Sequence, residues 1–136
     1  MANGVASLDP TGNVPASQLG NAPSAVTTTQ IPFNVQAGAY TTTSTDAGLC
    51  IFHPPTDNAQ RRWTIAASTS VVYLIGTAIT FINQASTVTI AMPIPGDLLF
   101  MAGTTTTGAR LMSTVSVATA VKMTSNSWVI NGIGLS

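Results

Sequence analysis

Between Thr77 and Met92 the chain reads TAITFINQASTVTIAM, two short tracts in which apolar and hydroxyl-bearing side chains alternate. A strand turns successive residues to opposite faces, so Ile79 and Phe81 in the first tract and Val88, Ile90 and Met92 in the second can share one buried face. Thr77, Thr87 and Thr89 then fall on the other face. The polar break Asn83-Gln84-Ala85-Ser86 between the tracts predicts a β-hairpin at the centre of the fold. Nothing in this stretch is chemically reactive, and the same holds for nearly all of the chain.

Strand signals recur on both sides of it. Pro32 to Val35 predicts a short edge element, because proline lacks the N–H that a central strand needs. Tyr40–Thr43 and Gly48–His53 are expected to pair around Ser44–Ala47, and Arg62–Ala66 to put Trp63 and Ile65 on one face. Val71–Ile75 is an apolar run, either a strand or a buried connection. Asp97–Ala102 is expected to turn Leu98 and Phe100 to one side, with a polar loop at Gly103–Gly108. A short strand follows at Arg110–Met112, and a longer one at Val115–Met123 faces inward through Val115, Val117 and Val121. Ser127–Asn131 joins Trp128 to Ile130 before an Asn131-Gly132 turn. Eight to ten strands without a helical period predict an all-β fold, a β-sandwich or jelly-roll-like domain over residues 31–136 whose core includes Trp63, Phe81, Phe100, Val117 and Trp128.

Residues 1–30 differ. Pro10, Pro15 and Pro23 punctuate a polar thread, and Leu8, Val14 and Leu19 are its spaced apolar side chains. Asp9-Pro10-Thr11-Gly12 fits a type I turn. Such a segment has no core of its own. It is expected to be an extended N-terminal arm that orders by lying across another subunit, with Leu8, Pro10, Val14, Pro15 and Leu19 as its contacts.

The 136 residues suffice for one domain with a true core. Only 6% of them are charged, against roughly 25% in an ordinary soluble domain. The surface is therefore built from Thr, Ser, Asn, Gln and Gly, and its weak self-repulsion favours association into a homo-oligomer, a dimer or a trimer. Asp9, Asp46, Asp57 and Asp97 balance Arg61, Arg62, Arg110 and Lys122 to a net charge of zero, which leaves no electrostatic footing for nucleic acid. The uncharged run Ile65–Ile82 is broken by Ser68, Thr69, Ser70, Gly76, Thr77 and Thr80, so no membrane span is expected. The N-terminus lacks the cationic and apolar regions of a signal peptide.

Chemistry is scarce. One histidine, His53, and no glutamate are present. His53, Asp57 and a serine have the residue types of a triad, but no nucleophile motif accompanies them, and Pro54-Pro55 points to a strand exit with local His53–Asp57 hydrogen bonds. No catalytic residue, metal site or cofactor is assigned. The single Cys50 excludes an intrachain disulfide and fits a small buried hydrophobe. Arg61-Arg62-Trp63 has the makings of a sugar or nucleotide platform. The reading preferred here turns Trp63 inward and pairs Arg62 with Asp57 or Asp46.

Two stretches carry a resemblance. Gly4-Val5-Ala6-Ser7-Leu8-Asp9-Pro10-Thr11-Gly12-Asn13-Val14-Pro15-Ala16-Ser17-Gln18-Leu19 resembles a segment of tailed-bacteriophage tail-fibre and related structural proteins. Asp46-Ala47-Gly48, His53-Pro54, Arg62-Trp63-Thr64-Ile65, Gly76 through Gln84, Ala102-Gly103-Thr104, Ala118-Thr119-Ala120 and Trp128 through Leu135 are similar to a small β domain of phage structural proteins. The resemblance implies a non-enzymatic virion component, made in the host cytoplasm and carried on the particle exterior. The arm leads into the β domain without a shaft. That favours a capsid decoration or cement protein bound to the major capsid protein or other virion proteins. The alternative is a short tail-fibre, head-fibre or baseplate component contacting the host surface, where a glycan would be the ligand.

Overall fold

The longest strand organises the molecule. In the computed structural model, which describes residues 10–12, 30–85, 87–91 and 96–136, β1 (Phe33–Val35), β2 (Tyr40–Thr41), β3 (Cys50–His53), β4 (Arg61–Thr64), β5 (Ala78–Asn83), β6 (Val88–Ala91) and β7 (Leu98–Met101) precede β8 (Arg110–Thr124) and β9 (Ser127–Leu135). β9 folds back along one edge of β8 as an antiparallel hairpin and carries β7 parallel on its far side. The other edge of β8 is shared. β5 pairs with its C-terminal half, Ala78 opposite Val121 through Asn83 opposite Ser116. β6 pairs with its N-terminal end, Val88 opposite Met112 through Ile90 opposite Arg110.

β5 and β6 therefore run in the same direction along β8 and do not pair with each other. The expected hairpin is replaced by two wings, β1-β3-β5 and β2-β4-β6, each parallel internally. The alternation in Thr77–Met92 fixes which residues face inward, but it is the same whether the partner strand is local or distant, and β8 offers a far longer edge. The pairing expected between Tyr40–Thr43 and Gly48–His53 fails likewise: β2 joins β4, and β3 lies between β1 and β5. Pro32–Val35 does form an edge strand, at the rim of the first wing.

The fold is all-β, a single mixed sheet curled into a half-barrel. The curl arises where β8 bends. Its pairing with β9 slips between Met112 and Val117, and Val115 there has φ 52°. Extra residues in one strand bend that strand and strengthen its twist; here five steps of β8 face two of β9, which folds the β6 wing over the β5 wing. The Trp63 ring of β4 consequently lies 6.1 Å from Phe81 of β5 and edge-on to His53 of β3 at 5.8 Å.

Inside, residues stack in registered rows. Ile51, Phe81, Ala118 and Gly132 form one row across β3, β5, β8 and β9; Ile79, Ala120 and Ile130 form the next. Trp63, Ile65, Val88, Leu99, Met112 and Trp128 complete a fully buried core. Several faces are reversed from the sequence expectation. β8 buries Ser116, Ala118, Ala120 and Lys122, while Val115 and Val117 point outward. Both parities of VSVATAVK are largely apolar, and the small residues face inward because Phe81, Ile79 and Ile130 already fill that space. In β7, Leu99 is buried and Leu98 is exposed, the opposite of the Leu98/Phe100 face expected. β9 continues through Asn131-Gly132 to Leu135 instead of turning there.

Val71–Ile75 belongs to neither a strand nor a buried connection. Tyr73 alone among its large residues is buried, its hydroxyl donating to Thr43 O at 2.7 Å, whereas Val72, Leu74 and Ile75 are exposed. No helix among the described residues is long and apolar enough to cross a membrane.

Candidate functional site

The ionisable side chains are largely spent inside the fold. Asp46 is buried and accepts from Asn34 Nδ2 at 2.7 Å, Tyr40 OH at 2.8 Å and Thr43 N at 2.7 Å. Burial, and then the neighbouring Asp46, push the Tyr40 phenol above its ordinary range. Lys122 is buried, donates to Ser68 Oγ at 2.9 Å and Ser125 O at 3.1 Å, and lies over the Trp128 ring. Arg110 Nη2 donates to Thr106 O at 2.7 Å. Arg61, not Arg62, holds an aspartate: Nε and Nη2 donate to Asp57 at 2.7 and 2.9 Å. Neighbouring strand residues point to opposite faces, so one pairing excludes the other, and Arg62 stays exposed.

His53 and Asp57 do make the local contact expected at the strand exit, Nε2 to Oδ2 at 3.0 Å. The other ring nitrogen, Nδ1, lies 2.9 Å from Asn83 Oδ1. The orientation of that amide is set by its Nδ2, which donates to Ser113 O at 2.9 Å. The two ring nitrogens thus lie against Asn83 and Asp57. The cluster ties β3, β5 and the bend of β8 together, and no serine hydroxyl joins it among the described residues. Arg61 first, and then His53, hold the Asp57 carboxyl well below the usual carboxylate range. A depressed carboxyl contributes stability that is complete above its unfolded pKa, about 3.9, and is lost as pH falls from there toward the native value. Asp57→Asn is therefore expected to lower the urea midpoint by a constant amount from pH 8 to pH 5. The gap should close below about pH 4; a gap that widens on acidification would contradict this linkage.

Cys50 is buried, and burial pushes its thiol up to about 11. No group of three or more potential metal ligands occurs among the described residues. Trp63 is fully buried with Nε1 donating to Gly38 O at 3.1 Å, so it presents no platform. Of the arm residues, Pro10 lies exposed in a turn with Thr11. Leu8, Val14, Pro15 and Leu19 lie outside the described residues.

What remains is a surface. On the outer face of the first wing, Val35, Phe52, Ile82, Val117 and Ile133 stand opposite one another in unbroken register across β1, β3, β5, β8 and β9. The row beyond it carries Thr80 and Thr119, hydrogen bonded at 3.1 Å, and Asn131; after that Ala78, Val121 and Val129 form a second apolar row. No charged residue occurs in any of the three. Ile133 is 78% exposed, Val35 56% and Val117 42%. Beside the row Phe33 stacks on Phe52 at 5.1 Å, and an open hollow of about 490 Å³ is lined by Phe33, Phe52, Ile82, Val115, Val117 and Ile133.

Val115 lies two residues before Val117 on β8, within the irregularity, and is 76% exposed. A β-branched residue at φ 52° is a true outlier, costing on the order of 1–3 kcal/mol. The bulge that imposes it directs an apolar side chain into solvent. The sequence gives no direct signal for this face. Val117 looks like core by alternation, and the partners of Val35 and Phe52 are strands reached only through parallel crossovers. Searches against protein-family models, curated proteins and solved structures returned no match.

Proposed function

We infer that this chain is a non-enzymatic structural component of a phage virion, a decoration or cement protein that binds the capsid exterior and stabilises it. The observation that carries the reading is the registered apolar row on the outside of a rigid sheet. A polypeptide that turns Asp46, Asp57, Arg110 and Lys122 to internal contacts while exposing Ile133, Val115 and Val35 is suited to standing against other protein. The resemblance of the arm and of the β-domain motifs to phage structural proteins supplies the kind of assembly. The two facing wings serve as a sandwich-like support, in the manner of a jelly roll, for the exposed face.

In this reading the arm, through Leu8, Pro10, Val14, Pro15 and Leu19, laces over neighbouring copies of the major capsid protein. It orders on the particle and adds contact area across subunit boundaries. Removing residues 1–30 is expected to abolish binding to expanded capsids, measured by co-sedimentation, while circular dichroism still reports the β domain. Normal decoration by the truncated protein would refute the role of the arm. The alternative, a short fibre or baseplate component, predicts that the purified full-length chain competes with phage for host cells or for a host surface glycan. Decoration predicts no competition.

A further inference from the structure

We propose that the hollow between the β4–β5 loop and the C-terminal end of β8 is a binding site for a carboxylate that carries an aliphatic chain. Lys122 is its anion-binding group, and Val72, Leu74 and Ile75 are the wall for the chain. The site stands apart from the outer sheet face and does not depend on a virion role.

A buried cation without a counter-charge sets the site. Lys122 is 3% exposed, yet both ion pairs among the described residues are made by Asp57, with His53 and Arg61. Asp97 accepts from Ser68 N at 2.6 Å and forms no ion pair with the lysine. Neutral groups surround the ammonium instead. Ser68 Oγ at 2.9 Å and Ser125 O at 3.1 Å accept two of its three N–H groups, and the Trp128 ring centre lies 5.1 Å away. The third N–H has no oxygen acceptor among the described residues. Burial of an ion is costly unless an opposite charge meets it, so this spot keeps a net positive charge that an arriving anion offsets.

The surroundings select what kind of anion. Lys122, Ser68 and Ser125 line one open hollow of about 520 Å³, within the range of small-molecule sites. Lys122 is the sole charged residue lining it, and no charged residue occurs between Trp63 and Gly96. Ser68 Oγ accepts from the lysine and keeps its own O–H to donate to a ligand. The wall beside them is aliphatic, with Val72 84%, Leu74 78% and Ile75 71% exposed. Tyr73 holds that wall in place, its ring edge-on to Trp128 at 5.2 Å and its hydroxyl on Thr43 O. The wall and the ammonium are thus carried by the same core residue, Trp128. One positive charge matches one carboxylate, and an inorganic anion would leave the aliphatic wall uncovered.

Hexanoate is the probe, with hexan-1-ol and hexylamine as controls of equal length. In amide-resolved NMR spectra of the full-length chain, hexanoate is expected to shift the signals of Ser68, Thr69 and Ser125 with a Kd on the order of 1 mM. It should bind at least about tenfold more tightly than hexan-1-ol, and hexylamine should leave the signals in place. Lys122→Met keeps an unbranched apolar stem in the buried position and is expected to reduce hexanoate to the level of hexan-1-ol. Leu74→Asp changes an exposed side chain instead, so its thermal midpoint should stay near that of the wild type. Its carboxylate at the rim should weaken hexanoate binding at least about tenfold. A blocked peptide with one glutamate between two leucines separates the sources of the carboxylate. It binds more tightly than hexanoate if a protein side chain is the natural donor and more weakly if a free carboxylate is, and either ranking supports the site. The proposal is overturned if hexan-1-ol shifts the same signals as strongly as hexanoate, if hexanoate leaves them unmoved up to about 20 mM, or if Leu74→Asp or a folded Lys122→Met binds hexanoate as the wild type does.

Discussion

Replacing Phe81 by alanine is expected to lower the unfolding free energy by about 3–5 kcal/mol, with the loss near the upper end of that range. Phe81 is fully buried, 6.1 Å from Trp63, in the row Ile51-Phe81-Ala118-Gly132. Its neighbours across β8 and β9 are the two smallest residues available, so no side chain on that flank can swing into the vacated space. The paired backbones of five strands resist collapse, and the cavity persists. Urea denaturation at one fixed protein concentration, which holds any linkage to self-association constant, should show a midpoint lower by roughly 2 M. An unchanged midpoint would mean that the β5 face is assigned the wrong way round.

A loss of similar size is expected from Gly132→Ala, although it adds a single methyl group. A Cβ at this position would overlap Val117 O and the Cα of Ala118, and would lie 2.6 Å from the Ala118 Cβ. The obstruction is mostly backbone of the paired strand and cannot yield as a flexible side chain does. Relief requires β8 and β9 to separate where each is held by the other's hydrogen bonds. The cost is expected at or beyond the roughly 3 kcal/mol upper range for overpacking, a large share of the roughly 5–15 kcal/mol that holds an ordinary domain folded. Gly103→Ala is the control. Its φ is +78° but nothing lies within 4 Å of the added atom, so only a strain of about 1 kcal/mol is expected. Equal midpoints for the two variants would contradict the close approach of β8 and β9.

These two positions also show what the sequence makes legible. Phe81 is placed inward by alternation alone, because period two decides faces without reference to partners. Trp63, Ile65, Trp128 and Ile130 are placed the same way, and all are buried. Gly132 reads as a turn signal in the dipeptide Asn131-Gly132, and only the registered approach of Ala118 reveals it as a packing requirement. Partners are harder than faces. The polar break at Asn83–Ser86 looks like a hairpin turn, yet β5 and β6 on either side of it both pair with β8 and not with each other. The expectation of two strands, Arg110–Met112 and Val115–Met123, where β8 is one, turns on the hydroxyl-rich Ser113-Thr114, since a bulge that bends a strand and an end that stops it have the same composition.

The outer face was illegible for a related reason. Val35, Phe52, Ile82, Val117 and Ile133 come from five strands scattered over nearly a hundred residues, and their alignment depends on parallel crossovers that leave no local pattern. The corner cluster was read correctly as His53–Asp57, while its cation, Arg61, lies one residue from the arginine expected. Low charge content predicts a surface poor in ionised groups, and Asp46, Arg110 and Lys122 are turned inward.

The measurement that bears most directly on the account is localisation of this protein on purified phage particles by electron microscopy with a site-specific label. The account predicts density at regular, symmetry-related positions on the capsid exterior, in a fixed number of copies per particle. Label confined to the tail tip would support the host-contacting alternative instead, and particles without the protein would contradict a virion role altogether.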